Sequence, residues 1–188
     1  MADWDYCQDL WLSCIHDDNP NDCARCIKAC QGVHSEYYLD CGNKYMSNYG
    51  RLAAGSNDAA KEALTESICS MGRSWASLVD VFVDSNGAAG SVLRYFARQT
   101  EGNGRTGRVH DLACKYRGDM HKLENDAKKS KDSCRSLVGK VDDNDDGGCK
   151  EIRESEQCIA SCSGGGGWSE EAALFCGVQA ASYQKDCK

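Results

Sequence analysis

Fourteen cysteines among 188 residues constrain this chain more than any other feature. The remaining composition supports only a thin core, because the mean hydropathy is -0.59 and only three phenylalanines are present. Chains that combine little apolar material with many cysteines usually fold as oxidised domains, in which disulfide bonds replace part of the hydrophobic core. The cysteines therefore predict a disulfide-stabilised protein in an oxidising compartment, and we expect it to be secreted.

The first cysteines lie on two predicted helices that a short turn connects. Cys7 and Cys14 are seven residues apart, as are Cys23 and Cys30, so each pair lies on one helical face. The turn HDDNPND, residues 16–22, is short enough that the two helices must run antiparallel. Facing residues of such a hairpin have numbers with a constant sum. That sum is 37 both for Cys7–Cys30 and for Cys14–Cys23, and the spacing predicts these two disulfide bonds.

The last part of the chain repeats the pattern of two cysteine-bearing helices around a turn. The turn is SGGGGWSEE, residues 163–171, in which four glycines precede a helix start at Ser169. The residue numbers favour two bridges across the turn, Cys162–Cys176 and Cys149–Cys187. Their sums, 338 and 336, agree less well than those of the first hairpin. Cys158 could take the place of Cys162. Cys26 and Cys41 are left for longer-range bridges, and the spacing does not assign partners to Cys69, Cys114, Cys134 and Cys158.

Apolar residues keep a helical period between the two hairpins. Residues 56–72 and 74–84 each predict a helix, and from Val109 to Val138 the period continues over some thirty residues, which predicts the longest helix, weakened at Gly118. We therefore predict an all-α, disulfide-rich helical bundle with cysteine-clamped helical hairpins at both ends. It would be one domain, with an N-terminal hairpin at 1–50, central helices at 51–140 and a C-terminal hairpin at 141–188.

Metal binding and redox chemistry are the rival roles for the cysteines. Cys23-x-x-Cys26 is half of a zinc site, but no second such pair and no histidine pair at ligand spacing accompany it. A redox centre of the thioredoxin type needs its motif at the start of a helix that follows a strand. Here an acidic turn containing Pro20 precedes the motif. Crosslinking is therefore the favoured role.

One stretch of the sequence could hold a metal through oxygen ligands. In VDDNDDGGC, residues 141–149, the side chains of Asp142, Asn144 and Asp146 alternate and Gly147 follows. This order resembles the first half of the calcium loop of EF-hand proteins, and the resemblance implies Ca²⁺ as a cofactor held by these three residues. The closing glutamate of that loop falls on Arg153 here. The alternative is a solvated acidic turn, and we expect no other cofactor.

The sequence favours a binding protein over an enzyme. Its four histidines have no evident triad partners, and no glycine-rich phosphate loop follows a strand. A net charge of -7 argues against nucleic-acid binding, and no apolar run is long enough for a transmembrane segment. We therefore expect a non-enzymatic protein that binds a protein partner, in the manner of a toxin, effector or recognition factor.

Three alternatives stay open. Self-association into an extracellular structural assembly would pair the stretch 101–140, with ten basic and six acidic residues, with the acidic stretch 142–156. A helical carrier of a small apolar ligand would be similar to insect odorant-binding proteins, which also combine helices, disulfides and a C-x3-C pair. A third alternative changes the compartment, because the mitochondrial intermembrane space also oxidises helical hairpins with paired cysteines.

Overall fold

The computed structural model describes residues 2–53, 57–72, 78–79, 81, 94–98, 106–130, 132–140, 149–163 and 169–182. Every regular element within these ranges is helical, which confirms the predicted all-α architecture. The helices defined there are α1 (Ala2–Ile15), α2 (Pro20–Cys30), α3 (Ser35–Ala53), α4 (Asn57–Met71), α5 (Thr106–Tyr116), α6 (Met120–Lys128), α7 (Asp132–Arg135), α8 (Cys149–Ser163) and α9 (Glu170–Ser182). None of the helices in the described ranges has both the length and the apolar composition needed to cross a membrane.

The prediction of one long helix from Val109 is wrong, because that part of the chain forms three helices, α5, α6 and α7. Gly118 follows the end of α5 and has a φ of 78°. Glycine adopts this left-handed conformation without steric cost, and it commonly ends a helix in this way. Asp119 then accepts a hydrogen bond from the backbone N–H of Lys122 and starts α6. The apolar period hid the break, since Met120 and Leu123 are again buried on the far side of it.

The last helix, α9, lies at the centre of the bundle. Every residue from Ala172 to Ala180 is buried, and α9 contacts α4, α5, α6 and α8. A helix that is apolar on all sides must be surrounded by other helices. Gly177 lets the ring of Phe96 lie directly against the backbone of α9, because a Cβ atom at this position would be 2.5 Å from that ring.

The first three helices form a separate layer on one side of this bundle. Helix α1 packs on α2 and α3, and both α2 and α3 pack on α4. We call α1–α3 the N-terminal clamp and α7–α9 the C-terminal clamp, because disulfide bonds join the helices within each group. The clamp at the N-terminus therefore borders the bundle, whereas the clamp at the C-terminus supplies its central helix.

Disulfide bonds in the N-terminal clamp follow the predicted register. The structure contains Cys7–Cys30 and Cys14–Cys23, the two bonds that the constant sum predicts. A third bond, Cys26–Cys41, joins α2 to α3. The sulfur atoms of Cys26 and Cys30 lie 3.6 Å apart, so two disulfide bonds meet within one turn of α2.

The disulfide bonds of the C-terminal clamp differ from the pairing that the cysteine spacing favoured. Cys162 is not bonded to Cys176: it pairs with Cys134 of α7, and the alternative Cys158 pairs with Cys176. The physical reason is that α7 packs beside α8, so a third helix competes for the same cysteines. Cys149 begins α8, but its predicted partner Cys187 lies outside the described residues, so that bond stays a prediction.

Candidate binding surface

The oxygen ligands proposed for calcium lie outside the part of the chain that the structure describes. Asp142, Asn144 and Asp146 belong to the segment 141–148. A calcium site there stays a prediction. The Cys23-x-x-Cys26 pair is not a thiol pair in this structure, because Cys23 is bonded to Cys14 and Cys26 to Cys41.

Four aromatic side chains converge on one side of the N-terminal clamp. Trp4 and Trp11 lie seven residues apart on α1, whereas His34 directly precedes α3 and Tyr37 lies in its first turn. The Tyr37 ring stacks on Trp11, with ring centroids 4.2 Å apart, and on His34, with centroids 3.8 Å apart. Because both neighbours are nearly parallel to it, Tyr37 lies between them. Trp4 lies 6.5 Å from Tyr37, and the His16 ring meets Trp11 edge-on with centroids 5.7 Å apart. We call Trp4, Trp11, His34 and Tyr37 the aromatic face.

Hydrogen bonds hold the rings of the aromatic face in position. The indole N–H of Trp11 donates to a carboxylate oxygen of Asp40 at 3.1 Å. The backbone N–H of Tyr37 donates to Nδ1 of His34 at 3.2 Å, so His34 caps the first turn of α3. Three disulfide bonds fix α1 and α3 to α2 and thereby set the distance between the rings. The face is therefore preorganised, which lowers the entropy lost on binding.

Water still reaches the rings of the aromatic face. Trp4 is 40% exposed, and Trp11, His34 and Tyr37 are half-buried. Contiguous exposed apolar patches with a polar rim often mark sites of interaction with other proteins. Trp and Tyr are also among the residues that dominate binding energy at protein interfaces. The arrangement can therefore offer flat apolar surface together with the negative faces of its ring systems.

The electrostatic setting of the aromatic face is negative. The first basic residue after Met1 is Arg25, and residues 2–53 hold eight carboxylates against four basic side chains. Five of these carboxylates are exposed on α1 and α3: Asp3, Asp5, Asp9, Glu36 and Asp40. A surface that combines aromatic rings with carboxylates attracts cations by both the ring quadrupole and direct charge.

Two hollows bear on the carrier alternative, and neither resembles an apolar pocket. The first, about 220 Å³, is lined by Lys61, Glu62, Met120, His121, Glu124 and Phe175. The second, about 350 Å³, is lined by Leu137, Lys140, Glu154 and Gln157. Sites for small apolar ligands are mostly enclosed by hydrophobic side chains. These two hollows are open and carry charged groups, so they do not favour a carrier.

Sequence reasoning missed the aromatic face, although a weak signal exists. Trp4 and Trp11 have the i, i+7 spacing of one helical face, and His34 and Tyr37 have the i, i+3 spacing. Nothing in the sequence says that these two pairs meet, because the Cys26–Cys41 bond that brings α3 back against α1 could not be assigned from spacing.

Comparison of the chain with protein-family models, with curated proteins and with solved structures gave no match.

Proposed function

We propose that this protein is a secreted, non-enzymatic binding protein that engages a cationic segment of a protein partner through the aromatic face. The observation that carries the proposal is the stack of Trp11, Tyr37 and His34 at the surface of a rigid, acidic clamp. Arginine and lysine side chains would lie over the exposed rings while their charges approach the neighbouring carboxylates. Toxins, effectors and recognition factors are the functional types that fit such a scaffold.

Asp40 has a central place in this proposal. It holds the Trp11 indole through one hydrogen bond and is itself exposed, so a second oxygen lone pair remains accessible from solvent. An arginine of the partner could stack on Trp11 and donate to this carboxylate at the same time. Such paired contacts are stronger and more directional than a surface ion pair alone.

Calorimetric titration with a peptide of alternating arginine and serine tests the proposal. Trp11→Ala is expected to weaken binding between about threefold and thirtyfold, the range that a lost cation–π contact covers. Asp40→Asn keeps an acceptor for the indole N–H but removes the charge, so it should weaken binding and flatten its dependence on salt.

Matched controls make the test specific. Leu12 is 41% exposed on α1, as apolar and as accessible as Trp4, so Leu12→Ala should leave binding unchanged. Glu62 on α4 is an exposed carboxylate in another part of the fold, so Glu62→Gln should also have little effect. A peptide of alternating glutamate and serine should not bind. Equal binding by the native protein, Trp11→Ala and Asp40→Asn would refute the proposal.

A second candidate function is assembly of the protein with itself. Residues 101–140 carry the basic excess, and Lys122, Lys128, Lys129, Arg135 and Lys140 are exposed in α6, α7 and the turns around them. The acidic clamp of one copy could therefore meet the basic segment of another. Sedimentation at low and high salt separates the two candidates. Salt-sensitive association of the protein alone that Trp11→Ala abolishes would make a second copy the partner.

A further inference from the structure

One disulfide bond differs from the others in its surroundings. Cys69 of α4 is bonded to Cys114 of α5, and both residues are half-buried. The other five bonds in the described part of the chain join cysteines that are at most 2% exposed. A reductant can therefore reach the Cys69–Cys114 bond without first opening the fold, whereas the buried bonds are shielded.

Charged and nitrogen-bearing side chains surround this bond. The guanidinium of Arg117 lies 3.6 Å from Sγ of Cys69 and also pairs with Glu66 at 3.3 Å. Nε2 of His110 lies 3.6 Å from Sγ of Cys114. The ligand atoms of Cys69, His110 and Cys114 all lie within 4.8 Å of one another. Two thiolates and one imidazole are the donor set that Zn²⁺ prefers.

The distance between His110 and Cys114 already suits a tetrahedral metal. A zinc ion about 2.0 Å from a nitrogen and about 2.3 Å from a sulfur separates these two ligands by about 3.5 Å. The observed separation of 3.6 Å results from their i, i+4 spacing on α5. The two sulfur atoms are 2.07 Å apart when bonded, and rotation about the Cα–Cβ bonds can separate them after reduction.

Asp111 provides the support that a metal-bound histidine usually has. Its carboxylate lies 3.1 Å from Nδ1 of His110, so Nδ1–H can donate to Asp111 while Nε2 faces the sulfurs. A carboxylate behind a histidine fixes the tautomer that binds metal and raises the basicity of the ring. In the oxidised protein Nε2 instead lies 3.0 Å from the backbone carbonyl of Cys69, which only accepts, so Nε2–H donates to it. That contact would be given up when a metal binds.

We propose that Cys69, Cys114 and His110 form a redox-gated site for a thiophilic divalent cation such as Zn²⁺, closed as a disulfide and open as a dithiol. A dithiol reductant supplies the two electrons and two protons. Its thiolate attacks Sγ of Cys114, and Cys69 leaves as a thiolate beside Arg117. The second thiol of the reductant then displaces Cys114, and the reductant departs as a disulfide.

Metal binding follows reduction with a balanced change in protons. The two cysteine thiols release two protons as they bind the cation, and the proton of a neutral His110 moves from Nε2 to Nδ1. Two thiolates cancel the double positive charge, and Arg117 stays paired with Glu66. Three protein ligands leave the fourth position of a tetrahedral ion to water. The inference does not depend on the proposed partner-binding function.

Mild reduction tests the first half of the proposal. A water-soluble phosphine, which becomes its oxide as it delivers two electrons, avoids dithiols because those bind zinc themselves. After brief treatment, alkylation and peptide mass mapping should find Cys69 and Cys114 labelled before any buried cysteine. Circular dichroism should show that the helices persist. Earlier labelling of any of the five buried pairs, or loss of helix when Cys69 and Cys114 open, would overturn the proposal.

Titration with Zn²⁺ alone tests the second half, and Co²⁺ reports the geometry through its thiolate charge-transfer and tetrahedral absorption bands. The reduced protein should bind one equivalent and the oxidised protein none at this site. His110→Ala should weaken binding of the reduced protein by roughly tenfold or more, since loss of a supporting residue alone costs that much. His121→Ala, an exposed histidine on α6, should match the native protein. Equal affinity in the oxidised and reduced forms, or in native and His110→Ala protein, would overturn the proposal.

Discussion

The two clamps share one pattern of disulfide bonds. Each has a C-x3-C pair on its middle helix, Cys26 and Cys30 on α2 and Cys158 and Cys162 on α8. In both clamps the first cysteine of the pair bonds to the helix that follows, and the second bonds to the helix that precedes. These two connections are therefore equivalent, although the sequences between the cysteines differ and the N-terminal clamp has the additional bond Cys14–Cys23.

The same connections serve different structural roles. In the N-terminal clamp α1 keeps exposed residues along much of its length, including Trp4, Tyr6 and Leu12. In the C-terminal clamp α9 is buried from Ala172 to Ala180 and contacts four other helices. The difference shows that disulfide bonds fix which helices are neighbours, whereas the distribution of apolar side chains decides whether a helix becomes core or surface.

Removing one matched bond from each clamp should give the largest contrast. Cys26–Cys41 and Cys158–Cys176 span 15 and 18 residues, so chain entropy alone predicts nearly equal losses of about 3 kcal/mol. We expect Cys158→Ala/Cys176→Ala to lower the free energy of global unfolding by about that amount. Cys26→Ala/Cys41→Ala should instead increase hydrogen exchange mainly within α1–α3. Denaturant unfolding and hydrogen exchange measure both, and equal global losses would contradict the contrast.

A smaller effect is expected where one glycine in each region becomes alanine. Gly177→Ala places a Cβ 2.5 Å from the ring of Phe96 and should cost about 1–3 kcal/mol through overpacking. Gly32 has a φ of 76° with open space around it, so Gly32→Ala should cost only the backbone strain, about 1 kcal/mol. In a Phe96→Ala background the Gly177→Ala cost should nearly vanish, and thermal unfolding of the double-mutant cycle tests this. If Gly177→Ala were equally destabilising in the Phe96→Ala background, its cost would not come from contact with the Phe96 ring.

Tyr45 lies at the junction between the N-terminal clamp and the bundle, and its buried hydroxyl should make the free energy of unfolding depend modestly on pH. Burial raises the pKa of Tyr45 from 10.0 to about 12, against the opposing hydrogen bond with Ser67 of α4. Its contribution is complete below the unfolded pKa and is lost as pH rises toward the folded value. From about pH 9 to about pH 11 the native protein should lose about 1.4 kcal/mol more than Tyr45→Phe. Equal losses in denaturant unfolding would mean that the hydroxyl is not buried in solution.

Tyr116 is a second buried hydroxyl, which lies in the bundle rather than at the junction. Burial and its hydrogen bond to the Asp126 carboxylate both raise the pKa of Tyr116. The direction is the same as for Tyr45, so Tyr116 should contribute to the alkaline loss that remains in Tyr45→Phe.

The sequence alone was sufficient for features that depend on local spacing. Cys7, Cys14, Cys23 and Cys30 recur at seven-residue intervals around a short turn, so the antiparallel register and both bonds follow from helix geometry. The same reasoning identified a weak point at Gly118 but not the end of the helix, because the apolar period continues across the break. It also failed at Cys162, where proximity to α7 is set by packing.

The candidate sites could not be predicted from spacing, because each combines residues that are far apart in the sequence. His110 and Cys114 have the i, i+4 spacing of metal ligands, but Cys69 is 45 residues before Cys114 and no local rule connects them. The aromatic face likewise needs α1 and α3 to meet. The sequence thus determined the helical class, the oxidised state and the N-terminal register, which follow from short-range periodicity. Only the tertiary structure decided which helix is central and which distant side chains meet, because these depend on how all the apolar faces pack together.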